Sequence, residues 1–140
     1  MRIEVTDTPR EDDEAFVIAK TREHNAAFTN EDVKSLCVFI RDESGDIIGG
    51  LTGKTYWGYL DIAYLWVHAK HRGQGHATRL MAAAESEACG RGCGNALVDT
   101  YSFQALGFYQ KLGYVEFGRL AGFSGAHERH YLHKRICPER

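Results

Sequence analysis

The stretch "LWVHAKHRGQGHATRLMAAAESEA", residues 65–88, decides the reading of this chain. An apolar run ends at Val67, a short basic loop holds two glycines, and a helical pattern starts at Ala77. Ala77, Leu80, Met81, Ala84 and Ala88 fall on one stripe of a helix. A strand, a glycine turn and a helix N-terminus in succession make an anion site. The first N–H groups of a helix have no partner within it, and its dipole favours negative charge there. Gly73 and Gly75 lack side chains, so the backbone between them can approach a phosphate closely. Arg72 adds a charge-assisted donor, and Gln74, His76 and Thr78 add polar ones.

Outward from that loop the chain alternates strand and helix patterns. "MRIEV" reads as a first strand and residues 10–28 as a helix with Glu11–Glu14 in its first turn. Residues 35–69 read as three strands: Asp42–Asp46 turns the first two into a hairpin, a turn falls near Gly58, and a long apolar strand covers about 60–68. After the glycine turn and its helix comes the strand "NALVDTY". A helix over about 103–112 follows, with Ser102 as N-cap and Gly113 as its C-terminal stop. "YVEFGRL" and "RHYLHKRI" close the chain as strands. Hairpins make the first half antiparallel and the helical crossover makes its flanking strands parallel, so the expected class is α/β (α+β) with one mixed sheet and helices on both faces.

Composition bounds the function. One domain of 140 residues, 44% hydrophobic and 26% charged, is ordinary for a globular protein. No apolar run approaches a membrane span, and the opening residues lack a basic and then apolar leader, so a cytoplasmic location is expected. The net charge of −2 is too small to point to nucleic acid. Its distribution is uneven: residues 1–62 carry 13 acids and 7 bases, and residues 63–140 carry 6 acids and 10 bases. Cys37, Cys89, Cys93 and Cys137 match no common zinc spacing, so no metal is expected and all four read as buried or partly buried thiols.

Three phosphate loops compete for residues 72–78. The P-loop pattern GxxxxGK[ST] is absent, and the dinucleotide fingerprint lacks its third glycine. The third pattern, R-x-x-G-x-[GA], is met in full by Arg72-Gly73-Gln74-Gly75-His76-Ala77. It is the pyrophosphate loop of the GNAT superfamily of acyl-CoA-dependent N-acetyltransferases, which this chain resembles. "SFQALGFYQKLGYVEFG" is similar to that family's N-x-x-A-x-x-F-Y-x-K-x-G-F block: Ala105, Phe108, Tyr109, Lys111 and Gly113 match, with Ser102 for Asn and Tyr114 for Phe. "LWVHAKHRGQG" resembles its L-x-V-x-P-x-x-R-G-x-G, with Ala69 for Pro.

The resemblance implies a GNAT fold with a sheet of six to seven strands whose fourth and fifth splay apart. It implies acetyl-CoA as cosubstrate, with its pantetheine arm along Leu65, Trp66 and Val67 and its pyrophosphate on Arg72–Thr78. The thiol end would meet Ser102, Ala105, Phe108, Tyr109 and Lys111. It implies direct attack by an amine in a ternary complex. A main-chain N–H would stabilise the oxyanion and Tyr109 would act as general acid, since a phenol of pKa about 10 suits a thiolate of about 8.5. The proton acceptor is left among Asp61, His68, Tyr64 and a water chain, with Asp61 the carboxylate on the fourth strand. Strict alternation puts Asp61, Ala63, Leu65 and Val67 on one face of that strand and Tyr64, Trp66 and His68 on the other.

The acceptor region falls in the acidic half, where Phe28, Trp57, Tyr59 and Tyr64 offer flat walls. Acid and aromatic together suit a small cationic amine, with an aminoglycoside-type antibiotic first. A peptide N-acetyltransferase and a non-catalytic acyl-CoA sensor are the alternatives. Relatives that dimerise through C-terminal elements allow a homodimer here.

Overall fold

A computed structural model describes residues 1–137. By its internal contacts the chain divides into two compact units, Met1–Asp32 and the part from Val33 onward. The first unit is a single helix, α1 (Glu11–Asn25), with the expected acids in its first turn and no buried residue. The expected first strand is not there: residues 1–6 carry no regular structure.

The second unit is a six-stranded mixed sheet. Its strands are β1 (Lys34–Arg41), β2 (Ile47–Tyr56), β3 (Tyr59–Val67), β4 (Asn95–Tyr101), β5 (Val115–Phe123) and β6 (His127–Arg135). Their order across the sheet is β1-β2-β3-β4-β6-β5. All pairs are antiparallel except β3 with β4, the pair joined through helix α2 (His76–Gly90). The β2–β3 turn is a two-residue one, with Trp57 at φ 49 and Gly58 at φ 83, as a hairpin of the primed type requires.

Two irregularities in β3 shape the sheet. First, β3 and β4 pair only at Tyr59–Asn95, Leu60–Ala96 and Asp61–Leu97. Beyond those positions the strands part, as the resemblance implied, and among the described residues β3 keeps a partner strand on its β2 side only. Second, β3 carries a β-bulge. Gly53 of β2 faces Ile62, but Thr52 faces Tyr64, so Ala63 is extra. A bulge reverses the alternation beyond it. Leu65 and Val67 therefore join Ile62 on the core side, and Tyr64 and Trp66 share the face of Asp61. This corrects the strict alternation expected from the sequence. Gly53 belongs to the same device: a Cβ there would sit 2.5 Å from the Asp61 carbonyl oxygen.

The core lies between the sheet and α2. Leu80, Met81, Ala84 and Ala88, the stripe read from the sequence, are buried against Leu36, Leu51, Leu60, Ile62 and Ala96. The two fully buried alanines keep the helix close to the sheet. Polar ties hold it further. Glu85 accepts from the Tyr114 hydroxyl at 2.9 Å and from Lys134 Nζ at 2.7 Å, and Arg91 donates to Lys34 O, Ser35 O and Thr55 Oγ1.

Helix α3 (Leu106–Lys111) starts later than expected. Its N-cap is Ala105, not Ser102. Residues 101–104 form turns instead, with Gln104 Oε1 accepting from the Tyr101 N–H and Thr100 Oγ1. Ser102 is used elsewhere: its N–H donates to Glu128 O and its Oγ accepts from the Glu128 N–H. Gly113, at φ 95, ends α3 as expected.

The cysteines do not all remain thiols. Cys89 and Cys137, 48 residues apart, form a disulfide with Cα atoms 5.7 Å apart. The end of α2 and the chain beyond β6 meet only because the sheet order places β6 beside β4. Cys93 is a buried thiol, while Cys37, expected to be at least partly buried, is exposed.

Candidate active site

The splay of β3 and β4 opens a cavity of about 560 Å³. One wall is β3 from Ile62 to Val67, the opposite wall is Val98–Thr100 of β4 with Gln104 and Ala105, and α3 adds Phe108 and Tyr109. The glycine loop closes one end with His71, Arg72, Gly73 and Gly75, followed by His76, Ala77 and Thr78 of α2. Nearly every element that bounds it comes from a motif singled out in the sequence.

The loop has the conformation its glycines permit. Gly73 lies at φ 76 and Gly75 at φ 80, and Gly75 is the N-cap of α2 without any side-chain cap. The free N–H groups of the first turn of α2 therefore face the cavity mouth with no internal acceptor, the arrangement that binds a phosphate. A Cβ at either glycine would meet nothing within 4 Å, so the demand for glycine is conformational and leaves the space open. Arg72 does part of its work within the protein: its Nε donates to the Val67 carbonyl at 3.0 Å, which ties the loop to the end of β3. His68, His71 and His76 line up beside it, ring centroids 5.8 and 6.3 Å apart in turn. Among the described residues no group of three or more His, Cys, Asp or Glu side chains is placed to hold a metal ion.

At the β4 side of the cavity Tyr109 is buried, and its ring stands edge-on to Phe108 and Tyr114, at 5.2 and 6.0 Å. Burial raises its phenol pKa, and the negative charge of Asp99 raises it further. A phenol is protonated at neutral pH in any case, the state required of a proton donor, and the shift moves it further from ionisation.

Of the residues named from the sequence, Leu65, Trp66, Val67, Arg72, Gly73, Gly75, His76, Ala77, Thr78, Ala105, Phe108, Tyr109 and Tyr64 line the cavity. Gln74, Ser102 and Lys111 stand outside its wall. Asp61 lies at the last paired position, where the cleft closes, and accepts from the Tyr56 hydroxyl at 2.9 Å. That bond, after burial, raises the Tyr56 pKa. Trp57 and Tyr59 lie beyond the closed end, towards the β2–β3 turn, where the Tyr59 ring lies 6.3 Å from His133. Phe28 belongs to the first unit, exposed, its ring 5.4 Å from His24.

Sequence reading missed His71, Thr100, Gln104 and Asp99. Asp99 carries a signal in hindsight: "NALVDTY" is an apolar strand with one carboxylate near its C-terminal end, and ligand sites in open sheets gather at such ends.

The chain matches the acetyltransferase (GNAT) family over residues 2–114. It is 38% identical over 111 residues to Acetyltransferase Atu2258 of Agrobacterium fabrum, covering 79% of this chain and 81% of that protein. A crystal structure of an Agrobacterium tumefaciens acetyltransferase superposes with a TM-score of 0.91 at 34% identity, covering 96% of this chain and 99% of that one. The Blasticidin-S acetyltransferase of Streptomyces morookaense is 47% identical over 73 residues, covering 51% of this chain and 54% of that protein. This chain therefore belongs to the GNAT family. It is an acyl-CoA-dependent N-acetyltransferase with the mixed α/β fold of that family.

Proposed function

We propose that this enzyme moves the acetyl group of acetyl-CoA to a primary amine of a small cationic molecule of the amino-bearing antibiotic type. The observation that carries this is the cleft itself. It joins a phosphate-binding helix start at one end to a buried phenol and a carboxylate at the other, through an unpaired edge of β3. The cavity fits the cosubstrate: among the described residues, β3 from Ile62 to Trp66 has no partner strand on its β4 side and can pair with amides of an extended arm, as an added strand would, while the Val67 carbonyl is held by Arg72. The similarity to a blasticidin-S acetyltransferase supports an antibiotic amine, and aminoglycosides remain within the same class of cation.

Each residue has a proposed task. The loop Arg72–Thr78 holds the pyrophosphate. A β3 main-chain N–H among Leu65, Trp66 and Val67 stabilises the oxyanion formed as the amine nitrogen bonds to the carbonyl carbon. Tyr109 gives its proton to the sulfur as the carbon–sulfur bond breaks. The thiolate develops in the same buried place, where desolvation raises its own proton affinity. Asp61, at the closed end, takes the proton that the amine loses.

The test is incubation of the full chain with acetyl-CoA and a panel holding blasticidin S, aminoglycosides, polyamines and lysine peptides, read by mass. Mass is preferred to thiol colour because Cys37 is an exposed thiol. Gain of one acetyl group on a small cationic amine supports the reading. Acetylation confined to peptides overturns it in favour of a protein-modifying enzyme.

A further inference from the structure

Asp99 stands two residues beyond Leu97, the last residue of β4 that pairs with β3. Asp99 lines the cavity together with Ala63, Tyr64 and Tyr109. On the opposite side β6 supplies Arg129, whose Nε and Nη2 both lie 2.9 Å from the same oxygen, Oδ1. The guanidinium is itself confined between rings, 5.5 Å from Tyr101, 5.8 Å from Phe123 and 5.1 Å from Tyr131. Asp99 is thus a carboxylate locked in one orientation through one oxygen. Among the described residues no donor meets Oδ2.

The Asp99 side chain is 36% exposed, so Oδ2 is open to solvent and within reach of a cationic donor, which would form a charge-assisted bond there. The loop after β4 is rigid enough to preserve the arrangement, since Ser102 and Gln104 bind it to β6 and to β4 itself. Asp61, opposite Leu97 at the last paired position, lies just outside the cavity wall and accepts from the Tyr56 hydroxyl, so among the carboxylates of these two strands it is Asp99 that lines the cavity. Tyr109 senses Asp99 electrostatically, which places the carboxylate near the phenol.

We infer that Asp99, oriented by Arg129, receives the ammonium group of the acceptor beside Tyr109, where β3 and β4 part, and so selects cationic amines. Arg129 acts as a positioning residue: it fixes Oδ1 so that Oδ2 faces the ligand. The inference rests on the acceptor class proposed above but assigns it to a residue.

The experiment reads binding without turnover. Benzylamine, a cation at neutral pH, and benzyl alcohol, its neutral counterpart of similar shape, are titrated into the full chain saturated with coenzyme A. Amide chemical shifts of residues 97–101 report occupancy. The expected result is that benzylamine moves these resonances and that Asp99→Asn weakens it by about tenfold or more. Benzyl alcohol should be unaffected by the change, and Asp99→Glu should retain most of the cation binding. Arg129→Gln should weaken the cation less than Asp99→Asn does. Acetyl-CoA raising the melting temperature of Asp99→Asn as it does the wild type shows that the cleft is intact. Benzylamine binding unchanged in Asp99→Asn, or amine and alcohol losing affinity alike, overturns the inference. Cation binding at Asp99 in a protein that acetylates no member of the amine panel would sink the proposed function and leave Asp99 as a cation site.

Discussion

Tyr109 shows what a single residue owes to its place. A tyrosine on a short helix is ordinarily a packing residue. Here it is buried against Phe108 and Tyr114, yet it lines the cavity, and both burial and Asp99 raise its phenol pKa. Replacement by Phe preserves the ring contacts and removes the hydroxyl with its proton. Tyr109→Phe should lower kcat by about 10²–10³ while the KM for acetyl-CoA stays near the wild-type value, as expected for loss of general acid catalysis. Steady-state kinetics checks this, and an unchanged kcat would sink the acid role. The same residue scale explains why Tyr109 was legible in the sequence and Asp99 was not. Tyr109 sits inside a spaced motif, whereas Asp99 matters because a strand separation and Arg129, thirty residues away, converge on it.

At the scale of elements, the β5–β6 hairpin carries a charged cluster on its own. Glu116 Oε1 lies 2.8 Å from His130 Nδ1, and Arg119 bonds both carboxylate oxygens, at 2.9 and 3.2 Å. The bond from His130, then that from Arg119, holds the Glu116 carboxyl below its ordinary range. A carboxyl whose folded pKa is depressed stabilises the fold above its unfolded pKa of about 4.3, and that contribution disappears as pH falls through the lower folded value. Thermal unfolding from pH 7 to pH 3 should therefore show wild type above Glu116→Gln at neutral pH, with the gap closing below about pH 4. A gap that persists undiminished at pH 3 would exclude this ionic source. The elements themselves were mostly readable. The stripe on α2 and the run of β3 follow from periodicity, and the stop at Gly113 from its left-handed backbone. The bulge at Ala63 was not readable, because a one-residue insertion is defined by register against β2 and leaves the local pattern of β3 unchanged.

For the whole molecule, binding and folding are linked. A ligand that occupies the cleft only in the folded state stabilises it by RT ln(1 + [L]/Kd), about 2.7 kcal/mol at a hundredfold excess over Kd. Acetyl-CoA at that excess should raise the melting temperature by several degrees, and NADH at the same concentration should not. Calorimetry settles the matter: stabilisation by NADH instead would revive the dinucleotide reading that the missing third glycine argues against. The comparison also tests whether the loop 72–78 and the open edge of β3 act as one site.

What the sequence determined by itself was local or periodic: the glycine turn at a helix start, the buried stripe of α2, the spaced block around Tyr109, and from these the family and its cosubstrate class. These are legible because their physics spans a few residues. Only the tertiary structure decided the rest. The strand expected at residues 1–5 is not formed, because alternation over five residues does not by itself make a strand. Cys89 and Cys137 become a disulfide because sheet order brings the end of α2 to the end of β6. Asp61 stands at the closed end of the cleft and Asp99 inside it, because β3 and β4 part after the pair Asp61–Leu97. Each of these outcomes depends on contacts between distant segments, which no local pattern encodes.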